Sequence, residues 1–452
     1  MFFKPRKKKA FVIGLDCAPP RLLFDKFKDE LPNFKMMLDK GVHCPMRSVH
    51  PPITIPAWMS MCSGLDVGEI GVYGFRTRKD NSYTEFDIST SKKFSQIDKI
   101  WDILAKLKKK SVLVGVPPSY PTYHIDGGMI SGFICPDAAS NFTYPESLKG
   151  EIEELVGEYK LDVVFRTEDR DKLIKSAWEM TEKRFKVIEY LIKNKQWDFF
   201  MFVEIGVDRI QHAFWKYYDP SHHLYQPEHK YKNVIFDYYK FIDQKVGKIL
   251  SVLDKDTTVF TVSDHGAKSM KGVFCLNEWL IDKGYLVLNK YPDKIASFNQ
   301  LDVDWQKTRA WGWGGHCGRI FINKKNRETQ GLVRDSEYES LRDGLIKELE
   351  NETDPLGKPW NTKVYKPKDV YKVLNGTPSD LVAYFDDLAY RGAGTVGHKK
   401  IFLEENDTGP DDAAHDWQGV FIEYSPLSKS AEELNQISIL DFKDRVLKSM
   451  GI

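Results

Sequence analysis

Thr257-Thr258-Val259-Phe260-Thr261-Val262-Ser263-Asp264-His265-Gly266 joins six residues of buried-strand character to an acidic and an imidazole side chain. β-Branched and aromatic residues in a continuous apolar run suit a strand covered on both faces, as in a parallel sheet. Open α/β sheets build their sites at the carboxyl ends of such strands. Two more runs end the same way. Ala10 to Leu15 closes on Asp16, and Asp198 to Val203 is followed by Asp208 and His212. Three strand ends that each deliver a carboxylate, two with a histidine, point to a metal centre.

Further outward, 111–116 reads as a fourth buried strand, with Leu381 to Tyr384 and Gly419 to Ile422 as shorter candidates. Helical spacing of apolar residues marks Ile100 to Leu107, Lys172 to Lys193 and Val234 to Leu253. Strands alternating with helices predict an α/β fold with a mostly parallel sheet and helices on both faces. Residues 275–375 differ in texture. They hold Trp305, Trp311 and Trp313, the run Gly312-Trp313-Gly314-Gly315, and a charged helix near Ser336 to Leu349. The expectation is an inserted lid subdomain at 275–375, with 1–274 and 376–452 forming the core. Loop-rich segments at 65–100 and 117–170, the latter with Pro117-Pro118, Pro121, Pro136 and Pro145, are expected to drape over the strand ends.

The chain has 452 residues, 42% hydrophobic and 29% charged, which is ordinary for a globular protein. Its 66 basic and 65 acidic residues leave a formal charge of +1, so no overall field favours nucleic acid or anionic membrane. The basic tract Lys4-Pro5-Arg6-Lys7-Lys8-Lys9 runs straight into the first strand with no apolar leader, so it reads as a solvated tail and not a signal peptide. No apolar run reaches the ~18 residues a membrane helix needs. Six scattered cysteines at 17, 44, 62, 135, 275 and 317 read as reduced thiols, and a cytoplasmic location is expected.

Asp208 and His212 stand four apart and share one side of a helical turn. His415 follows Asp411-Asp412-Ala413-Ala414 just before the short strand at Gly419, and His316, in Gly314-Gly315-His316-Cys317-Gly318, competes with it for the last ligand position. His222, His223 and His398 are read as core or solvent histidines. Asp16, Asp208, His212, Asp264, His265 and His415 exceed the four ligands of one tetrahedral site, so two divalent ions are expected. The mixture of nitrogen and carboxylate suits zinc, with manganese or iron as alternatives. Two ions about 4 Å apart clamp the attacking and leaving oxygens of an in-line phosphoryl displacement. Thr54, in Pro51-Pro52-Ile53-Thr54-Ile55-Pro56-Ala57-Trp58, supplies a nucleophile near the start of a helix expected from about Met59, where free amides favour an anion. A lone threonine needs such help to ionise.

In order along the chain, Ile13-Gly14-Leu15-Asp16, Pro52 to Trp58 with Ser63-Gly64, Val207 to His212, Ser263 to Gly266 and His415-Asp416-Trp417-Gln418-Gly419 resemble the alkaline phosphatase superfamily. The likeness is to its type I phosphodiesterase/nucleotide pyrophosphatase branch, in the predicted phosphohydrolase subgroup, and it spans almost the whole chain. It implies an alkaline-phosphatase-like fold. It also implies that Asp16, Thr54, Asp264 and His265 hold one ion, with Thr54 as covalent nucleophile. Asp208, His212 and His415 would hold the other, which serves the water of the second step. Asn323 to Glu328 resembles a piece of this subgroup's lid, which makes His316 a lid residue. Pro56-Ala57 and Val207 to His212 depart from the nucleotide pyrophosphatase pattern, so nucleotide specificity is not implied. A sulfatase would place an arginine after the nucleophile, and a cofactor-independent phosphoglycerate mutase would use serine. The expected partner is therefore a small-molecule phosphate ester, a diester before a monoester, with Tyr73, Arg76, Arg209 and His316 as candidate substrate contacts. A phosphotransferase or a silent metal-stabilised scaffold is the competing expectation.

Overall fold

A computed structural model describes residues 8–427 and 431–452. Residues 4–7 of the basic tract lie outside the described residues. The central sheet is ten-stranded, and its middle is parallel. Lys9–Leu15 lies between Thr257–Val262 and Phe199–Glu204, and Ser111–Val114 and Gly127–Ile130 continue the parallel pairing beyond the latter. The four expected buried strands are thus four neighbours in this sheet.

Period-2 alternation explains why these runs are apolar on every residue. Phe11, Ile13, Phe200 and Phe202 enter one core, against the helices Pro32–Lys40, Arg170–Asn194, Gly206–Tyr218 and Val234–Val252. Ala10, Val12, Met201 and Val203 enter the other, against Thr54–Ser63, Ile100–Lys106 and Phe442–Ser449. Each strand side chain has an apolar layer to face, so no polar position is needed. The fold is the expected α/β sheet with helices on both faces.

The short run at Gly419 behaves differently from its parallel neighbours. Gln418–Tyr424 is antiparallel to Thr257–Val262, with Phe421 opposite Val262 and Tyr424 opposite Val259. An antiparallel strand brings its beginning, not its end, to the carboxyl edge of the sheet. His415, just ahead of it, pairs with Ala267 in a short ladder next to Asp264 and His265.

A second, four-stranded antiparallel sheet joins Ala310–Trp313, Gly318–Ile322, Leu381–Tyr384 and Lys363–Tyr365. Trp279, Trp311, Phe321, Leu345 and Trp360 form its core, partly under the helix Asp335–Glu350. Its hydrogen bonding crosses residue 375, because Gly318–Ile322 pairs directly with Leu381–Tyr384.

One buried ion pair fixes the turn that leads to Asp208. Arg184 Nη1 donates to Glu204 Oε1 at 2.8 Å, and both side chains are almost wholly excluded from solvent. The same carboxylate oxygen accepts from the Gly206 amide at 2.9 Å. Truncating one partner of such a pair strands the other charge, so Arg184→Met is expected to destabilise the fold by about 3–5 kcal/mol. Urea unfolding would check this, and a loss under ~1 kcal/mol would remove the pair from the framework.

Two histidines give the fold an acid limit. Burial, with help from His223, lowers the His222 pKa from 6.5 to about 4, and burial with Arg47 does the same for His50. His222 accepts from the Leu224 amide through Nδ1 at 3.0 Å and meets Asp412 O through Nε2 at 3.0 Å, which fixes a neutral tautomer. The unfolded chain therefore binds more protons than the fold between pH 6.5 and 4. Stability present at pH 7 should fall through that window, by roughly 2–3 kcal/mol per group. Urea midpoints at pH 7 and 4.5 measure it, and His222→Asn should flatten the slope.

Candidate metal centre

Each ligand-type residue reaches the carboxyl edge of the sheet by its own local route. Asp16 follows Lys9–Leu15 directly. Asp264 and His265 follow Thr257–Val262. Asp208 and His212 share a face of Gly206–Tyr218, the helix entered from Phe199–Glu204. The helix carrying Thr54 begins at Thr54 itself, five residues before the expected start at Met59. Pro56 is tolerated because it lies in the first turn, where amides have no intrahelical acceptor. Gly14 has a specific role. A Cβ there would come within 2.8 Å of the Trp58 ring, whose Nε1 donates to Asp16 Oδ2 at 2.7 Å.

These side chains converge in two adjoining groups. Asp16, Asp264 and His265 offer donor atoms within 4.8 Å of one another, and so do Asp208, His212 and His415 together with Cys17. His265 and His415 stack with ring centroids 3.7 Å apart and join the groups. The segment 52–54 touches both. Thr54 Oγ1 lies 3.4 Å from His265 Nε2, and Pro52 O is 2.7 Å from His415 Nδ1.

The donors are arranged as metal ligands require. Each carboxylate has one oxygen held from outside and one turned to the centre. Asp16 Oδ2 accepts from Trp58, Asp264 Oδ1 from the Cys17 amide at 3.2 Å, and Asp208 Oδ2 from Arg209 at 2.7 Å. Asp16 Oδ1, Asp264 Oδ2 and Asp208 Oδ1 are buried and turned inward, with Asp264 Oδ2 and Asp208 Oδ1 each 3.1 Å from the Nε2 of His265 and His212. Each imidazole is anchored through Nδ1: His212 to Asp411 at 2.7 Å, His415 to Pro52 O, and His265 to Gly266 O at 3.2 Å. That leaves every Nε2 facing the centre. Three inward-facing carboxylate oxygens and three imidazole Nε2 atoms in a buried site fit two divalent cations.

The electrostatics say the same. Burial and the charges of Asp264 and Asp208 raise Asp16 well above the usual carboxylate range, and burial raises Asp264. Burial opposes charge on His212, but Asp411 and Asp208 overcome it and raise its pKa to about 9. Asp264 and Asp16 do likewise for His265, also to about 9. Two of the imidazoles thus hold protons against their carboxylates where cations would sit, while burial and the neighbouring His265 and His212 push the pKa of His415 well down.

The other expected contacts are placed differently. Arg209 is held by Asp162 through Nε and Nη2, at 2.9 and 2.8 Å, and by Asp208. It anchors a ligand carboxylate and has no free edge of its fork for a substrate. Tyr73 donates to Asn375 O at 2.8 Å, and the Arg76 guanidinium lies 4.4 Å over Phe86. His316 stacks on His415 at 3.5 Å with its Nδ1 buried and unpartnered, so it faces the centre from the second sheet.

Sequence reasoning missed Trp58 and Asp411. Asp411 Oδ2 accepts from Arg391 and from Arg166 Nη2 at 2.9 Å while Oδ1 holds His212. The Asp411-Asp412 pair ahead of His415 was the available signal. Asp411→Asn should weaken metal retention by roughly 10–100-fold, measured by competition with a chelator. Unchanged retention would rule out this anchoring role.

A mostly parallel α/β sheet whose strand ends gather paired carboxylate–imidazole groups around a helix-initiating threonine defines a two-metal hydrolase of phosphate esters. The sequence profile of the type I phosphodiesterase / nucleotide pyrophosphatase family matches residues 10–411, and the chain belongs to that family. Phosphodiester hydrolysis is the chemistry of this family. A search of curated protein sequences finds no match. Among solved structures, the chain is similar to murine ectonucleotide pyrophosphatase/phosphodiesterase 5 in an inactive form bound to AMP, at 14% identity and TM-score 0.56, covering 99% of this chain and 96% of that one. It is similarly related to the human protein of that name, at 14% identity and TM-score 0.57, covering 98% and 95%. Among the described residues, no helix is long and apolar enough to cross a membrane.

Proposed function

We propose that this chain hydrolyses a small-molecule phosphodiester by two in-line displacements through a phosphothreonine at Thr54. The observation that carries this is the position of Thr54. Its hydroxyl opens a ten-residue helix, faces His265, and is tied through Pro52 to His415. The helix start favours an anion at that hydroxyl. Thr54 Oγ forms its bond to phosphorus as its proton passes to solvent, and the bond to the leaving-group oxygen breaks on the opposite side, its electron pair going with that oxygen. Water then attacks phosphorus from the vacated side and gives a proton to solvent, while the bond from phosphorus to Thr54 Oγ breaks and the released oxygen takes up a proton again.

Asp16, Thr54, Asp264 and His265 would hold one ion, and Asp208, His212 and His415 the other. When bound, the ions supply charge neutralisation and a lowered pKa for hydroxyl and water. Zinc is the preferred metal on this donor set. Residues 275–375, completed by Leu381–Tyr384 across their shared sheet, act as a lid over the core formed by 1–274 and the rest of 376–452, with His316 reaching the site. All six cysteines are free and buried, which supports a reducing compartment, the cytoplasm.

The test is release of nitrophenol from bis-p-nitrophenyl phosphate and p-nitrophenyl phosphate, with and without chelator, alongside elemental analysis. Faster, chelator-sensitive release from the diester is expected. Release from neither, with two metals bound per chain, would favour a silent scaffold. The AMP complex of the murine neighbour recommends nucleotides for the substrate panel, with sugar and lipid phosphates beside them.

A further inference from the structure

We propose that the Cys17 sulfur is a fourth protein donor on the Asp208, His212 and His415 side of the centre. This rests on the site being a two-metal centre. The Cys17 sulfur lies within 4.8 Å of the donor atoms of those three residues, which themselves lie equally close to one another. Among the described residues no other cysteine groups with ligand-type side chains in this way.

The backbone at Cys17 is held in place by the elements that carry the ligands. Its φ is +66°, a left-handed conformation that costs a side-chain-bearing residue roughly 1–2 kcal/mol. Such an outlier is kept only where the surroundings insist on it. Here the Cys17 amide donates to Asp264 Oδ1 at 3.2 Å, and its carbonyl accepts from Gln211 Nε2 at 2.8 Å. Both ends of the residue are thereby tied to the strand and the helix that carry the ligands. The thiol donates to Gly266 O at 3.4 Å, which uses its proton and leaves the sulfur lone pairs free.

A second observation is independent of the sulfur. Asp208 is 2% exposed, and its Oδ1, the donor atom facing the same point, accepts no hydrogen bond. Its neighbours at that point are His212 Nε2 at 3.1 Å and His415 Nε2 at 3.9 Å, both ligand-type atoms, so a cation shared by the three falls within reach of the Cys17 sulfur. On binding, the thiol loses its proton to solvent as the sulfur–metal bond forms, with no change of oxidation state. Thiolate is a soft donor that favours zinc, cobalt or cadmium over magnesium or manganese. The two positions would therefore differ. The Asp16, Asp264 and His265 side offers oxygen and nitrogen alone, and the Cys17 side adds sulfur.

The test uses the full-length protein, stripped with chelator and reloaded with cobalt(II) under reducing conditions. A near-ultraviolet sulfur-to-cobalt charge-transfer band is expected in the unaltered protein. It should vanish in Cys17→Ala and Cys17→Ser while d–d absorption from the remaining donors persists. X-ray absorption at the zinc edge of the unaltered protein should show a sulfur neighbour at about 2.3 Å. This arm stands even where a variant fails to fold. Two bound ions with no charge-transfer band and no sulfur neighbour overturn the proposal and leave the two-metal reading intact. Failure to bind ions at all overturns both. A band that survives in Cys17→Ala assigns the sulfur elsewhere and overturns the proposal alone.

Discussion

Thr54→Ala is expected to lower turnover of bis-p-nitrophenyl phosphate by ~10³-fold or more, with metal content close to that of the unaltered protein. Loss of a covalent nucleophile removes the first bond-forming step, and the residual rate reflects only what binding and charge can do. Metal content should survive because Asp16, Asp264 and His265 keep their donor atoms. The methyl group lost is small, and Thr54 makes no hydrogen bond that holds the helix, whose first turn is shaped by Pro56 and by packing of Ile55, Ala57 and Trp58 in the core. Quenching with acid during turnover should trap a p-nitrophenyl phosphoryl group on Thr54 in the unaltered protein. Full activity in Thr54→Ala would end the covalent route and turn attention to direct attack by water.

Asp264→Asn should reduce both metal content and rate, the latter by about 10²–10⁴-fold. That range corresponds to several kcal/mol of charge stabilisation in the transition state. Asp264 is wholly buried. One oxygen holds the Cys17 amide and the other faces His265 Nε2 at 3.1 Å, so an amide there keeps the shape of the site but removes the charge that a cation needs. Elemental analysis should find the Asp16 and His265 position depleted. Unaltered metal stoichiometry would separate Asp264 from the ions. Comparison with Asp411→Asn sharpens the result. That change touches no donor atom, loosens His212 together with Arg166 and Arg391, and should weaken retention without abolishing it.

Much of this was legible in the residue order because it is local. The runs 10–15, 198–203 and 257–262 carry their own strand signal, and a carboxylate at the end of a parallel strand has only one edge of the sheet to occupy. The i, i+4 spacing of Asp208 and His212 places both on one helix face whatever the rest of the chain does. Sequence therefore determined the sheet, its parallel centre and six of the side chains that meet there. It could not determine partnerships made across long separations. Trp58 with Asp16, Asp411 with His212, Pro52 with His415 and Arg209 with Asp162 are pairings that no periodicity encodes. Nor could it show that Gln418–Tyr424 runs antiparallel and so delivers His415 to the edge where Asp264 and His265 lie. Tertiary structure alone decided those contacts, because burial strips each carboxylate of water and leaves it to find its partner in space.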